Sequence, residues 1–119
     1  MSKKYTSTEI NITEHTDRNI NGSLAVVEPA TVINSPGLNR RIVVTSFILC
    51  NAESQGAITL ELQDGGHTHW TFYASAGAVL SKDFPANHPW KLSNNQPLTI
   101  DKNAANTVYY SIQYHVEGA

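Results

Sequence analysis

Thr107-Val108-Tyr109-Tyr110-Ser111-Ile112-Gln113-Tyr114-His115-Val116-Glu117 decides the fold class. Val108, Tyr110, Ile112, Tyr114 and Val116 fall on one side of an extended chain, and the intervening residues fall on the other. Side chains of a strand alternate between its two faces, so this two-residue rhythm describes a strand with one face turned to a core. Aromatic and β-branched residues at such spacing suit a pleated, half-buried surface.

Working backwards from that strand, the same rhythm recurs between turn signals. Asn94-Asn95 turns into Pro97-Leu98-Thr99-Ile100. Phe84-Pro85 and His88-Pro89-Trp90 frame a proline-bounded loop. Gly77 to Asp83 and His69 to Ala74 read as strands. Ile58, Leu60 and Leu62 alternate with Thr59, Glu61 and Gln63, and Asp64-Gly65-Gly66 closes that strand as a hairpin turn. Arg41 to Asn51 is apolar on both faces, which predicts a central strand covered on both sides. Ser35-Pro36-Gly37 is a turn, and Pro29 divides Ser23 to Ile33 into two short strands or confines it to an edge. No stretch of a dozen or so residues keeps an apolar period of 3.6, so no helix is expected. The expectation is an all-β, single-domain β-sandwich, jelly-roll-like, of about eight short antiparallel strands. Residues 1–22 are polar, with Ile10, Ile12 and Ile20 as isolated apolar points, and read as an extended N-terminal arm preceding a sandwich of residues 23–119.

A chain of 119 residues fits one domain. Its apolar content of 40% excludes a disordered tail. Only 15% of the residues are charged, against about 25% in typical domains, and Asn, Thr and Ser take their place. Such a surface forms hydrogen bonds without the desolvation cost of buried ions, and it suits equally a protein covered by neighbours and a neutral surface left in solvent. The net charge of −2 gives no basic field for nucleic acid. Neither a secretion signal nor a membrane-spanning segment is visible, so synthesis in a reducing cytoplasm is expected. The single cysteine, Cys50, sits in the apolar run Ile48-Leu49-Cys50 and reads as a buried structural thiol.

Candidate chemistry is sparse. Asp64, His67 and His69 are the candidate metal ligands, because a His-x-His spacing places both rings on one face of a strand. The plainer reading is a polar hairpin tip, and no metal or other cofactor is expected. No nucleophile elbow, phosphate-cradling loop or facing carboxylate pair appears, so no enzymatic activity is expected. Trp70, Tyr73, Trp90, Tyr109 and Tyr110 could build a sugar-stacking platform or a protein interface, and the plainer, favoured reading places Trp70, Phe72 and Tyr110 in the sandwich core. Tyr109 faces away from Tyr110, and Tyr109 or Trp90 is the expected surface contact.

One resemblance adds to this reading. It rests on Ile48-Leu49-Cys50-Asn51 before a loop, then Ile58-Thr59-Leu60-Glu61-Leu62-Gln63-Asp64-Gly65, Ala76-Gly77, Phe84-Pro85, Pro89-Trp90-Lys91-Leu92, Leu98-Thr99-Ile100, Ala104-Ala105-Asn106-Thr107-Val108-Tyr109 and Tyr114. This layout, a little over half the chain, resembles small β-sandwich structural proteins of tailed bacteriophages, either head decoration (cement) or tail-associated. The resemblance implies a virion protein on the capsid surface that binds the major capsid protein as a homo-oligomer, with a trimer favoured. The charge and the lack of a long apolar span leave no nucleic acid or membrane partner expected. The expected contacts are Lys3, Lys4, Tyr5, Ile10 and Ile12 of the arm, with Trp90 and Tyr109. The alternative is a receptor- or glycan-binding module of a tail fibre or tailspike, using surface aromatics with Asp64, His67 and His69.

Overall fold

The structure, a computed structural model, describes residues 17–119 apart from 26, 28, 54 and 55. Nine strands follow in chain order: β1 (Arg18–Leu24), β2 (Ala30–Ile33), β3 (Arg40–Asn51), β4 (Ile58–Asp64), β5 (His67–Ala74), β6 (Val79–Asp83), β7 (Trp90–Lys91), β8 (Leu98–Lys102) and β9 (Val108–Gly118). They form two antiparallel sheets. One runs β1-β9-β3-β6, with the short β7 also on β3, and the other runs β2-β8-β4-β5.

The order follows from rolling up one long hairpin. β4 pairs β5 at its tip, β3 pairs β6 and β7 behind it, β2 pairs β8, and β1 pairs β9 at its open end. Two further ladders, β3 with β9 and β4 with β8, close the roll into two sheets. This is a jelly roll, as expected from the sequence. The tip turn has the expected chemistry: Gly65 and Gly66 have φ of +60° and +92°, the positive values that a two-residue hairpin loop of this twist requires.

Ile42, Val44, Phe47 and Leu49 of β3 meet Ile58, Leu60 and Leu62 of β4, Leu98 and Ile100 of β8, and Val108 and Ile112 of β9 in one buried core. The inward positions of β3 are even-numbered up to Val44 and odd-numbered from Phe47. The cause is a bulge: the register with β9 shifts between Val44 and Ser46, so Thr45 is the extra residue and the alternation changes phase there. The run Arg41 to Asn51 therefore looks apolar on both faces because one face is read in two phases. The expectation of a strand covered on both sides is corrected. Val43 is covered on the outward side, but Ile48 is 48% exposed.

β1 begins at Arg18, so residues 18–22, assigned above to the arm, pair with β9 from Tyr114 to Tyr110 at the edge of the sheet. Residues 1–16 lie outside the described residues, and so do the arm contacts expected at Lys3, Lys4, Tyr5, Ile10 and Ile12.

Candidate functional site

Two surface features are candidates: the outward face of the β1-β9-β3-β6 sheet and a cleft beside β5, β6 and β7.

The first is built by strand register. Cys50 pairs with Val79 on one side and with Tyr109 on the other, and Ile48 lies two residues before Cys50, so all four side chains share the outward face. Tyr109 is 55% exposed, Val79 63% and Ile48 48%. Around them stand small or uncharged polar residues: Ser23 opposite Tyr109, and Ser81 and Ser111 opposite Ile48. Asn19 donates a hydrogen bond to Ser111 at 3.3 Å, and Ser46 donates one to Gln113 at 3.2 Å. The expectation of a buried Cys50 is corrected. The thiol is free and part-exposed, because alternation puts Leu49, not Cys50, into the core. Tyr109 is on the surface as expected.

Farther along the same sheet, Glu117 is gripped by its cross-strand partner. Arg41 Nε donates to Glu117 Oε2 at 2.8 Å, and Lys91 Nζ lies 3.3 Å from the same oxygen. Burial alone would raise the Glu117 pKa. The hydrogen bonds and charges of Arg41 and Lys91 outweigh burial and hold it below the usual carboxylate value.

The second feature is aromatic. Trp90, expected at the surface, is only 5% exposed and belongs to the core, which corrects that expectation. Its pairing with Val44 of β3 turns the indole inward, toward Trp70 and His69 of β5. There Trp70 meets it edge to face, with ring centres 6.2 Å apart, and His69 stacks on it at 5.1 Å. Phe84 tilts against Trp70 at 5.7 Å and against Phe47 of the core at 6.0 Å. Lys82 Nζ stands 5.6 Å from the Trp70 ring centre and 5.1 Å from that of Phe84. These groups line a cleft of about 460 Å³.

The three candidate metal ligands do not converge, although Asp64 and His67 are cross-strand partners. The β4–β5 register shifts after Leu62, so His69 is an extra residue on β5, and its ring turns onto Trp90. Asp64 Oδ2 instead accepts hydrogen bonds from the Ser93 backbone N–H at 3.0 Å and the Ser93 hydroxyl at 2.8 Å. Among the described residues no three His, Cys, Asp or Glu side chains gather as a metal would need. Of the five aromatics named from the sequence, Trp70 and Trp90 meet in the cleft, whereas Tyr73 and Tyr109 stand exposed and Tyr110 packs against the core. Sequence reasoning missed Lys82 and Phe84 as cleft residues. A lysine two residues before Phe84-Pro85 carries no signal until β6 is laid beside β5.

No helix among the described residues is long and apolar enough to cross a membrane. No protein-family model matches the chain, and no curated protein matches its sequence. Among solved structures, the chain is similar to a subunit of the Bacillus endospore appendages, a family of disulfide-linked pili. That likeness has 17% identity and a TM-score of 0.50, covering 87% of this chain and 88% of that one. Looser likenesses include the virus-like particle of the Macrobrachium rosenbergii extra small virus (11% identity, TM-score 0.47, 88% and 79% covered). Another is the coat protein of Tobacco streak virus (12% identity, TM-score 0.44, 90% and 87% covered). The endospore-appendage subunit shares the two-sheet β fold described above, and at this identity the likeness extends to the fold alone.

Proposed function

We propose that this protein is a non-enzymatic structural subunit that works by assembly, as a decoration protein on the head shell of a tailed phage. The observation that carries the reading is the outward sheet face. Ile48, Val79 and Tyr109 form an apolar patch around Cys50, bordered mainly by serines and amides, with Asp83 opposite Ser46 as a charge near its margin. Apolar area of this kind is stabilised when covered, and its mainly neutral rim can be desolvated cheaply. Repetition of such modest contacts over a symmetric oligomer gives avidity on a repetitive shell. The major capsid protein is then the partner, and trimers are the expected form.

The test is to mix the purified protein with heads that lack their decoration protein. Binding in many copies per particle, with greater resistance of the heads to heat, is the expected result. A protein that leaves the heads bare would refute the reading.

A second reading, a pilus subunit, is favoured by one observation: Cys50 lies on the outward face of a fold similar to that of a disulfide-linked pilus subunit. With one cysteine per chain a disulfide joins two subunits and no more, so fibres seen by electron microscopy whose subunits run as Cys50-linked pairs that reductant splits would select it over decoration.

A further inference from the structure

A strand at the margin of a sheet leaves a row of backbone N–H and C=O groups without a ladder partner, which a further strand can cover. Among the described strands, β1 and β6 are marginal in one sheet, and β2 and β5 in the other. Three of these carry features that discourage such pairing. Arg18 stands on β1, Lys82 and Asp83 stand on β6, and β2 is only 4 residues long, with Pro29 directly before it and Pro36 shortly after. β5 differs. Its 8 residues, His67-Thr68-His69-Trp70-Thr71-Phe72-Tyr73-Ala74, include no Lys, Arg, Asp, Glu or Pro. The bulge at His69 disturbs only its start, and from Trp70 to Ala74 the register with Leu62 to Ile58 is regular.

The neighbouring strands decide which backbone groups of β5 are bare. Asn103 holds both backbone groups of Thr59. The Thr59 N–H donates to Asn103 Oδ1 at 2.8 Å, and the Thr59 C=O accepts from the Asn103 N–H at 3.3 Å. Thr59 therefore turns away from Tyr73, its partner on β5, and the two form a non-hydrogen-bonded pair of the antiparallel ladder. In such a pair each residue directs its N–H and C=O away from the other, so those of Tyr73 point out from the sheet margin. Alternation puts those of Thr71 on the same open side. No turn or loop among the described residues takes up these groups. The side chains are bare too: Thr71 is exposed, and Tyr73 is 81% exposed.

Self-complementarity decides what fits there. β5 holds no acid or base to select a strand of opposite charge, and an uncharged strand meets its own copy without like-charge repulsion. An antiparallel two-fold axis through Phe72 sets Thr71 opposite Tyr73 of the second copy, Phe72 opposite Phe72, and Trp70 opposite Ala74. The Thr71–Tyr73 pairs then exchange their bare N–H and C=O groups, and each lays an aromatic ring beside a β-branched residue, a favourable cross-strand combination. The Trp70–Ala74 pairs set a large side chain beside a small one. We propose that β5 pairs with β5 of a second copy about this axis, joining two four-stranded sheets into one continuous sheet. The outward patch lies on the other sheet, so this contact does not depend on what the patch covers.

The full chain is sedimented at concentrations up to about 0.5 mM, with reductant present so that Cys50 links no copies. Species with an even number of copies are expected: a dimer, or two joined copies of any oligomer that the outward patch makes. Thr71→Lys with Tyr73→Lys sets like charges opposite each other and is expected to weaken the pairing about tenfold or more. Thr71→Lys with Tyr73→Glu sets opposite charges there, and the pairing is expected to return. Both positions are exposed, and thermal melting checks that the variants fold. A monomer at every concentration, or odd-numbered species alone, would overturn the proposal. Pairing that survives the two lysines would overturn it by placing the contact elsewhere, and pairing lost in both variants would overturn the two-fold register.

Discussion

Asn51 is a polar side chain without exposure at the end of β3, and it holds three segments at once. Its Nδ2 donates to the carbonyls of Gly56, Ala74 and Ser75 at 3.0, 3.2 and 3.1 Å, and its Oδ1 accepts from Asn106 at 3.2 Å. Replacing it by Ala strands these buried groups. We expect Asn51→Ala to lower stability by about 3 kcal/mol, measured by urea denaturation, because several partners are lost together. Glu117 makes a pH-dependent contribution. Its folded-state pKa is depressed, so the folded protein releases this proton more readily than the unfolded chain. The stabilisation is therefore present above about pH 4.5 and is lost as pH falls through the depressed value. Glu117→Gln is expected to cost about 1.5 kcal/mol at neutral pH, the scale of charged hydrogen bonds. The gap between the two proteins should close as pH is taken well below 4, in denaturation curves recorded across that range. A gap that stayed constant with pH would deny the ion pair this role.

At the scale of elements, glycines at two places act for different reasons. Gly66, at the tip of the β4–β5 hairpin, has φ +92° and open space where a Cβ would stand. Gly22 of β1 has ordinary strand backbone, but a Cβ there would come within 2.5 Å of the Tyr110 hydroxyl and 2.7 Å of its ring. Gly66→Ala should cost about 1 kcal/mol from backbone conformation alone. Gly22→Ala should cost about 2 kcal/mol from overpacking, and Tyr110→Leu in the same chain should recover most of that, whereas it should do nothing for Gly66→Ala. Thermal unfolding of the four proteins separates the two causes. The hairpin glycines were legible in the sequence because Asp-Gly-Gly between alternating runs carries its own local geometry. The tyrosine over Gly22 was not, since it depends on β1 lying against β9 with Gly22 opposite Tyr110. The bulges at Thr45 and His69 were hidden for a related reason. A bulge shifts the phase of alternation, and an alternating pattern read without its partner strand cannot tell a shift from a second apolar face.

For the whole molecule, the decisive comparison is between the two faces of the β1-β9-β3-β6 sheet. The inner face is the core. The outer face exposes Ile48, Val79 and Tyr109, and a change there should leave folding alone. Val79→Ser together with Tyr109→Ser is expected to shift stability by no more than about 1 kcal/mol, since surface substitutions usually cost under about 0.5 each. On the proposed function, with the patch as the contact, the same pair should abolish attachment to heads, measured by co-sedimentation. Variants that unfold would place these residues in the fold, and variants that still sediment with heads would place the contact elsewhere.

By itself the sequence determined the material of this protein: strands, a two-residue rhythm, a Gly-Gly hairpin, a sparsely charged surface and the absence of local catalytic motifs. Those properties are local, since alternation and turn chemistry act over a few residues. It did not determine which apolar residues stay outside. Cys50 was expected in the core and Trp90 at the surface, and each lies on the other side. Only the rolled hairpin decides that, by setting a bulge at Thr45, pairing β7 with β3, and bringing β5 and β6 to face each other so that Lys82 meets the Trp70 and Phe84 rings. The physical reason is that burial belongs to the partner as much as to the residue: an apolar side chain is inside only when another strand, placed by long-range pairing, comes to cover it.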